Sequence, residues 1–263
     1  MNLSFWKYQG TGNDFVMLDN RVQKLENILT KKHISFLCNR RMGIGADGLI
    51  LLSDSGKYDF NMIYYNADGG ESTMCGNGGR CLVAFAHARG IVKERYTFEA
   101  IDGLHHADYQ EGIVDLEMIA PHSYRKLDDS SSWIHTGSPH YVGFEDDSLE
   151  QFDVYTKGKS IRYDSRFSKG GGTNANFVNI LEPGHLRVRT YERGVEDETL
   201  SCGTGVTACA YIYKLEQARD LEEIKIETEG GQLSVRIHDD KAGHETVILS
   251  GPATFVYKGN IQF

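Results

Sequence analysis

The chain has 263 residues, a formal net charge of −9 and a hydrophobic content of 40%. This length allows one large domain or two of ordinary size, and a content of only 4 prolines fits a globular protein with a full core rather than a disordered one. The negative charge, with no basic stripe to offset it, argues against nucleic acid as a partner. The longest aliphatic run, residues 49–52, is too short to cross a membrane, and the start lacks the apolar stretch of a signal peptide. A soluble cytoplasmic protein is therefore expected.

The first half of the chain predicts short strands and two helices. One predicted helix covers residues 26–40, and the other follows Cys75. The second helix has apolar residues on one helical face, at positions Cys81, Ala84, Phe85 and Ala88. The predicted strands are short apolar or alternating segments, at residues 15–18, 49–52, 60–65, 95–100, 104–109 and 113–118.

Residues 120–132 are predicted to separate two lobes, because Pro121 and an Asp-Asp-Ser-Ser-Ser run interrupt any periodic pattern. We expect a first lobe at residues 1–120, a second lobe at residues 121–252 and a strand-like tail at residues 253–263. A helical face also follows Cys202 in the second lobe, at Val206, Cys209, Ala210 and Tyr213. The closing strands of the second lobe are predicted at residues 223–229, 232–238 and 246–249.

Five blocks of the first half recur in the second half, in the same order and at a nearly constant shift. The clearest pair matches Glu71 and Cys75 with Glu198 and Cys202, since each glutamate precedes its cysteine by four residues. The other matched blocks are residues 11–16 with 136–141, 43–49 with 172–178, 64–66 with 191–193 and 99–103 with 227–231. Such order indicates two homologous lobes. Equivalent motifs in duplicated lobes tend to face each other, which would bring both cysteines to one cleft.

Each copy of the motif places a cysteine beside glycines where a helix is predicted to begin. The two stretches are Cys-Gly-Asn-Gly-Gly at residues 75–79 and Cys-Gly-Thr-Gly at residues 202–205. Backbone N–H groups and the positive end of the helix dipole favour an anion there, and they lower a thiol pKa below its ordinary value of about 8.5. Two acidified thiols in two copies of one unit are therefore predicted.

Two such thiols on opposite sides of a carbon could remove and replace its proton, one acting as base and the other as acid. The carbanion formed at an amino-acid Cα must then be stabilised, and no motif for a pyridoxal or nucleotide cofactor is evident. The N–H groups of the two helix starts are candidates for binding the α-carboxylate. These candidates are Gly76, Asn77, Gly78, Gly203, Thr204 and Gly205. Neither a cofactor nor a metal site is expected, since no Cys-x-x-Cys pair occurs.

The remaining cysteines, Cys38, Cys81 and Cys209, are interpreted as small buried hydrophobic residues. His140 lies in a repeat-matched loop and is predicted to be a site residue. An alternative for Cys75 and Cys202 is a regulatory or structural disulfide, as in a thiol redox switch. A non-enzymatic ligand-binding protein is a further alternative, although it offers no reason for a cysteine in both copies.

The whole chain closely resembles the diaminopimelate epimerase family. The motifs that carry the resemblance are residues 10–15, 43–48, 65–69, 75–81, 191–194 and 202–205. The resemblance implies a cofactor-independent isomerase that interconverts LL- and meso-diaminopimelate, serving lysine and peptidoglycan precursor synthesis. It also implies an α/β (α+β) fold of two pseudo-symmetric lobes from an internal duplication, each a β-barrel-like sheet around a central helix. A homodimer is implied, with the tail strand packed on the first lobe.

The resemblance also implies a role for individual residues. Cys75 and Cys202 correspond to the catalytic acid/base thiols, and His140 and Glu192 to residues that tune their protonation. The implied substrate contacts are Asn13, Asn66, Gly76, Asn77, Asn174, Glu192, Arg193, Gly203 and Thr204. Two positions depart from the pattern, since Ser138 stands where many members have Asn and Gly48 where some have Gln. A related isomerase, such as a proline racemase-like or phenazine-pathway-like enzyme, is the nearest alternative.

Overall fold

The computed structural model describes residues 2–239 and 245–262, so Met1 and Phe263, at the outer ends of the predicted first lobe and tail, lie outside the described residues. The chain divides into two compact units, Met1–Leu116 with Gly251–Phe263, and Glu117–Ser250. The unit boundary thus falls after residue 116, where the sequence placed it after residue 120. Within the described residues, no helix has both the length and the apolar character needed to cross a membrane.

The first elements of the chain run from β1 to β8. They are β1 Asn2–Gly10, β2 Asn13–Asp19, α1 Lys31–Cys38, β3 Gly48–Ser53, β4 Phe60–Asn66, β5 Glu71–Ser72, α2 Gly76–Ala88, β6 Arg95–Ala100, β7 Gly103–Gln110 and β8 Ile113–Met118. The later elements are β9 His122–Lys126, β10 Ser131–His135, β11 Pro139–Phe144, α3 Val154–Arg162, β12 Asn174–Glu182, β13 His185–Glu192, β14 Asp197–Thr199, α4 Gly203–Gln217, β15 Glu223–Thr228, β16 Gly231–Asp239, β17 Glu245–Pro252 and β18 Thr254–Gln262. Short 3-10 helices occur at Leu25–Asn27, Leu149–Gln151 and Ser165–Gly170.

The two units repeat one strand topology. In the first unit β1 pairs antiparallel with β2, β2 parallel with β3, β3 antiparallel with β4, β4 parallel with β6, and β6 antiparallel with β7. In the second unit the same sequence of directions links β10, β11, β12, β13, β15 and β16. The tail strand β18 lies antiparallel to β1 within the first unit, and β9 lies antiparallel to β10 within the second.

A central helix lies inside each curved sheet. Helix α2 is buried at every residue from Gly76 to Ala86, and it contacts β1, β2, β3 and β7. Helix α4 is buried over most of its length and contacts β11, β12, β13 and β16. A helix with apolar residues on most of its sides is stable only when other elements enclose it. The predicted fold class, a β-barrel-like sheet around a central helix in each of two duplicated lobes, is confirmed.

The strand register corrects part of the sequence alignment between the two copies. Tyr65 lies opposite Glu71, and Tyr191 lies opposite Glu198, so Tyr65 rather than Tyr64 is the counterpart of Tyr191. By the same register Gly48 corresponds to Asn174, whereas the block alignment had matched it with Phe177. The loops before these strands differ in length between the copies, and residue identity alone does not reveal where the extra residues lie.

The predicted helix at residues 26–40 is interrupted. A 3-10 turn at Leu25–Asn27 is followed by α1, which begins only after Thr30. The Thr30 hydroxyl accepts a hydrogen bond from the His33 N–H, and the His33 ring in turn faces the Thr30 N–H. This reciprocal cap holds Thr30 in an extended conformation, so a helix cannot run through it.

Candidate active site

Cys75 and Cys202 occupy the same position in their units, as the residue directly before α2 and α4. The Cys75 carbonyl accepts the first helical hydrogen bond, from the Gly79 N–H at 2.7 Å, and the Cys202 carbonyl accepts from the Val206 N–H at 2.9 Å. The N–H groups of a helix's first turn have no partner within the helix and point toward its N-terminal end. The prediction that each cysteine stands where a helix begins is confirmed.

Around Cys75, the structure brings together three of the predicted site residues. The Cys75 thiol lies 3.6 Å from Asn13 Oδ1, and Asn77 Nδ2 donates to the same oxygen at 3.3 Å. Asn13 Nδ2 donates to the Asp47 carboxylate at 2.7 Å. Because a carboxylate accepts only, this bond orients the Asn13 amide, with its oxygen toward the sulfur.

Around Cys202, the contacts run through a hydroxyl. Cys202 Sγ lies 3.6 Å from Thr204 Oγ1, and Thr204 Oγ1 lies 2.9 Å from His140 Nε2. The Thr204 carbonyl accepts from the Thr136 hydroxyl at 2.8 Å, which holds the first turn of α4 against the strand-preceding loop. His140 therefore reaches the thiol through Thr204 rather than directly.

The tautomer of His140 follows from Asn176, a residue that the sequence analysis missed. Asn176 Nδ2 donates to the Tyr141 carbonyl at 2.7 Å and faces His140 Nδ1 at 3.1 Å, while Asn176 Oδ1 accepts from the Thr190 hydroxyl at 2.9 Å. His140 Nδ1 is therefore an acceptor, and the ring proton lies on Nε2, facing Thr204. The Thr204 hydroxyl is left to donate to the Cys202 sulfur, which favours a thiolate there.

His140 stays neutral over the physiological pH range. The ring is fully buried, and this burial, with smaller effects from His135 and Arg193, lowers its pKa from 6.5 to about 3. The imidazole thus acts as a fixed hydrogen-bond donor to Thr204, and it does not exchange protons with the thiol near neutral pH.

The depressed pKa of His140 predicts a loss of stability in mild acid. In the unfolded chain an exposed histidine takes up a proton below about pH 6.5, whereas native His140 does so only near pH 3, so stability falls as the pH drops between these values. Between about pH 7.5 and about pH 5 this one group should lower the free energy of unfolding by about 2 kcal/mol. Urea unfolding at the two pH values measures the change.

The control for this prediction is His140→Gln, which keeps a hydrogen-bonding side chain but cannot titrate. The variant should lose most of the pH dependence of the free energy of unfolding, whatever its own stability. Burial also lowers the pKa of His135, so His135 should account for part of the dependence that remains. If the free energy of unfolding of His140→Gln depended on pH as strongly as that of the parent protein, the low pKa assigned to His140 would be contradicted.

The other predicted site residues of the second unit support one another. Asn174, only 2% exposed, donates to Ser138 Oγ at 3.0 Å and to the Pro139 carbonyl at 2.9 Å, and its oxygen accepts from the Arg193 N–H at 2.8 Å. Glu192 Oε2 accepts from the Thr199 hydroxyl at 3.0 Å. In this structure Asn174 joins the loop before β11 to Arg193, so its contact with substrate stays a prediction.

The departure at Gly48 has a structural reason in Tyr64. A Cβ atom at position 48 would lie 2.5 Å from the Tyr64 ring and 2.7 Å from the Tyr65 carbonyl. Tyr64 thus covers the place where a side chain at position 48 would begin, on the face of the sheet that also carries Asn66. Asn66 itself lies at the exposed end of β4, where the Asn66–Gly70 turn starts.

The three cysteines outside the motif are enclosed in the cores. Burial raises the pKa of Cys38 and of Cys81 to about 12 and raises that of Cys209 as well, so all three stay protonated. All five cysteines lie within the described residues and are thiols rather than disulfides.

The fold of the chain is shared with known proteins of solved structure. The structure resembles a phenazine biosynthesis protein of the PhzF family from Bacillus anthracis, with a TM-score of 0.78 and 13% identity over 100% of both chains. It also resembles a probable proline racemase from Agrobacterium radiobacter K84, with a TM-score of 0.70 and 16% identity over 99% of this chain and 92% of that one. The protein therefore belongs to the fold class that these two proteins share.

Sequence similarity narrows the class to one family. The diaminopimelate epimerase profile matches residues 5–116 and 132–256. A relative from Flavobacterium psychrophilum that bears the name diaminopimelate epimerase is 48% identical over 263 residues, which cover 98% of this chain and 100% of the relative. The chain belongs to the diaminopimelate epimerase family, and it is an isomerase.

Proposed function

We propose that this protein interconverts LL- and meso-diaminopimelate without a cofactor, with Cys75 and Cys202 as its acid/base pair. The observation that carries the proposal is the identical placement of one cysteine at the start of each central helix, in a chain of this family. A one-base enzyme would need the motif in one lobe only.

The proposed reaction balances with two sulfurs that together carry one proton before and after turnover. A thiolate removes the Cα proton and becomes a thiol, and the opposite thiol delivers its proton to the other face of the carbanion and becomes a thiolate. After one turnover the two cysteines have exchanged protonation states, and the reverse reaction restores them. The proposal thus requires both sulfurs to approach one carbon from opposite sides.

The negative charge that develops during proton removal requires stabilisation at the α-carboxylate. The first turns of α2 and α4 offer backbone N–H groups at Gly76, Asn77, Gly203 and Thr204, with the positive ends of both helix dipoles. The hydrogen bonds from such preorganised donors become stronger as negative charge accumulates on the substrate, and the donors need not reorient during the reaction. These groups take the role that an electron-withdrawing cofactor has in other racemases.

The distal end of the substrate carries a second amino and carboxylate group. We assign contacts with the substrate to the polar residues Asn13, Asn66, Asn174, Glu192 and Arg193, of which Asn13 lies beside the Cys75 sulfur. An arginine fork binds a carboxylate through two parallel hydrogen bonds, and Glu192 offers an acceptor for an ammonium group. Two positions in this chain would adjust the fit of the substrate. One is Tyr64, which covers Gly48, and the other is Ser138, whose hydroxyl accepts a hydrogen bond from Asn174.

Turnover in deuterated water tests this proposal. Dialysed enzyme given LL-diaminopimelate, without added cofactor, should form the meso isomer with one solvent deuterium at the inverted carbon, because the donating thiol has exchanged with solvent. Mass spectrometry and chiral chromatography detect the label and the isomer. Product without deuterium would contradict the two-thiol mechanism.

The same assay distinguishes this substrate from those of related isomerases. Proline and trans-4-hydroxyproline should show no Cα exchange, since neither offers the distal ammonium and carboxylate groups. Exchange of proline at a rate comparable to that of diaminopimelate would instead favour a proline racemase activity.

We further propose that the enzyme serves lysine and peptidoglycan precursor synthesis in the cytoplasm, as a homodimer. The support for a dimer is the apolar surface of β18, where Phe255, Val256 and Tyr257 are about half exposed. This surface lies on the strand that pairs with β1, and three adjacent exposed apolar side chains are typical of a protein contact.

A further inference from the structure

Arg80 is a fully buried cation whose acceptors are all neutral. Its guanidinium donates to Asn77 Oδ1 at 3.0 Å, to the Thr11 hydroxyl at 3.3 Å and to the Gly76 carbonyl at 3.5 Å, while Nε has no acceptor. Within residues 2–239 and 245–262, the ion pairs of the structure do not include Arg80. A buried charge without a counter-charge costs several kcal/mol, so its retention calls for a reason.

The neighbouring charges are already balanced. Asp14 pairs with Lys7 and Arg40, each at 2.7 Å, and Arg40 also pairs with Asp47 at 2.6 Å. Two carboxylates therefore face two cations, and these two cations hold the pKa of Asp14 low, at about 2. Arg80 is left as the additional positive charge next to the start of α2.

On the other side of the motif, Asp102 accepts from the Met74 N–H at 3.1 Å and lies 3.3 Å from His105. Cys81, directly after Arg80, stays protonated because burial raises its pKa. Cys75 is thus the remaining thiol of the motif whose anionic form the cation can stabilise. Arg80 is joined to it by hydrogen bonds, since Asn77 accepts from Arg80 and donates to the Asn13 oxygen that lies 3.6 Å from the Cys75 sulfur.

The second copy of the motif differs at this position. Thr207 follows Cys202 by the same five residues that separate Arg80 from Cys75, and its hydroxyl donates to the Gly203 carbonyl at 2.9 Å. This bond corresponds to the one between Arg80 and the Gly76 carbonyl. The hydrogen bond to the first helical carbonyl is therefore satisfied by a neutral side chain in α4, so it does not require an arginine in α2.

We propose that Arg80 is a positioning residue that supplies the counter-charge of the Cys75 thiolate and orients Asn77 beside it, and that this charge distinguishes the first thiol from the second. The inference rests on the proposed function of Cys75. Asn13 points its amide oxygen at the sulfur and favours the thiol, whereas Arg80 favours the thiolate. The opposed effects keep both protonation states accessible, which an acid/base group that works in two directions requires.

Alkylation by iodoacetamide as a function of pH tests this inference without any turnover. Mass spectrometry of the separate peptides gives the apparent pKa of Cys75 and, as an internal control, that of Cys202. In Arg80→Met the apparent pKa of Cys75 should rise by about one unit or more, which slows its alkylation about tenfold near neutral pH, and that of Cys202 should not move. Arg80→Lys keeps the positive charge, so its apparent Cys75 pKa should stay nearer to that of the parent protein.

Thermal unfolding separates this role from a purely structural one. Arg80→Met removes the cost of burying the charge, but it also leaves Asn77 Oδ1 and the Thr11 hydroxyl without their donor, so the variant should stay folded with a moderately lowered melting temperature. An unfolded Arg80→Met protein, or a folded one with an unmoved Cys75 profile, would overturn the proposal. Activity in Cys75→Ser would instead remove the proposed function, while the alkylation result for Arg80 would still stand.

Discussion

Cys75→Ser and Cys202→Ser are each expected to lower kcat for epimerisation by at least about 1,000-fold in both directions, since acid/base groups contribute about 100- to 10,000-fold and a serine hydroxyl is a far weaker acid than a thiol. Both sulfurs act in each turnover, so neither variant should retain a preferred direction. Chiral chromatography of reactions started from LL- and from meso-diaminopimelate measures the loss.

Matched controls come from the buried cysteines. Cys38→Ala in the first unit and Cys209→Ala in α4 remove a sulfur of the same type from the cores, and both should keep turnover within a few-fold of the parent protein. Parent-like activity in Cys75→Ser or in Cys202→Ser would rule out the two-thiol mechanism. If only one of the two variants were inactive, a one-base mechanism would replace it.

Phe85→Ala is expected to destabilise the first unit by about 3–5 kcal/mol, the range for removing a large aromatic side chain from a core. Phe85 is fully buried on α2, and its ring lies 5.4 Å from the ring of Trp6 and 5.7 Å from that of Tyr8. These contacts hold α2 against β1. Because α2 carries Cys75 at its start, the variant should also lose activity at lower urea concentrations than the parent protein.

The two tryptophans make this measurement specific to one unit. Trp6 lies in β1 and Trp133 in β10, so fluorescence in a Trp133→Phe background reports the first unit alone. This matters because a chain of two units need not unfold in one step. Phe36→Ala, at a position on α1 that is 37% exposed, is the control and should cost about 1 kcal/mol or less. If Phe85→Ala and Phe36→Ala lost comparable stability, the greater burial of Phe85 would not explain its contribution.

Much of the local structure could be predicted because short-range patterns determine it. The strands at residues 95–100 and 113–118 match the observed β6 and β8, and both central helices begin after their cysteines. The predicted helix at residues 26–40 failed because the cap at Thr30 competes with helical hydrogen bonding, and a periodic apolar pattern does not contain that information.

The candidate site was predictable only where a motif repeats. Asn176 and Arg80 were missed because their importance lies in what surrounds them. Asn176 matters through its bond to His140, which lies on the neighbouring parallel strand, and Arg80 through the neutrality of its acceptors. Neither property leaves a signal in composition or spacing, although the contrast between Arg80 and Thr207 is visible once the two copies are aligned.

The sequence by itself determined the duplication, the class of protein and the positions of the two candidate thiols, since repeats, glycines and cysteines at helix starts are local features of the chain. The tertiary structure decided the register between the copies, the protonation of His140 and the isolation of the Arg80 charge. These depend on which distant groups come within hydrogen-bonding distance and how far water is excluded, and burial and register are set only when the whole sheet closes around its helix.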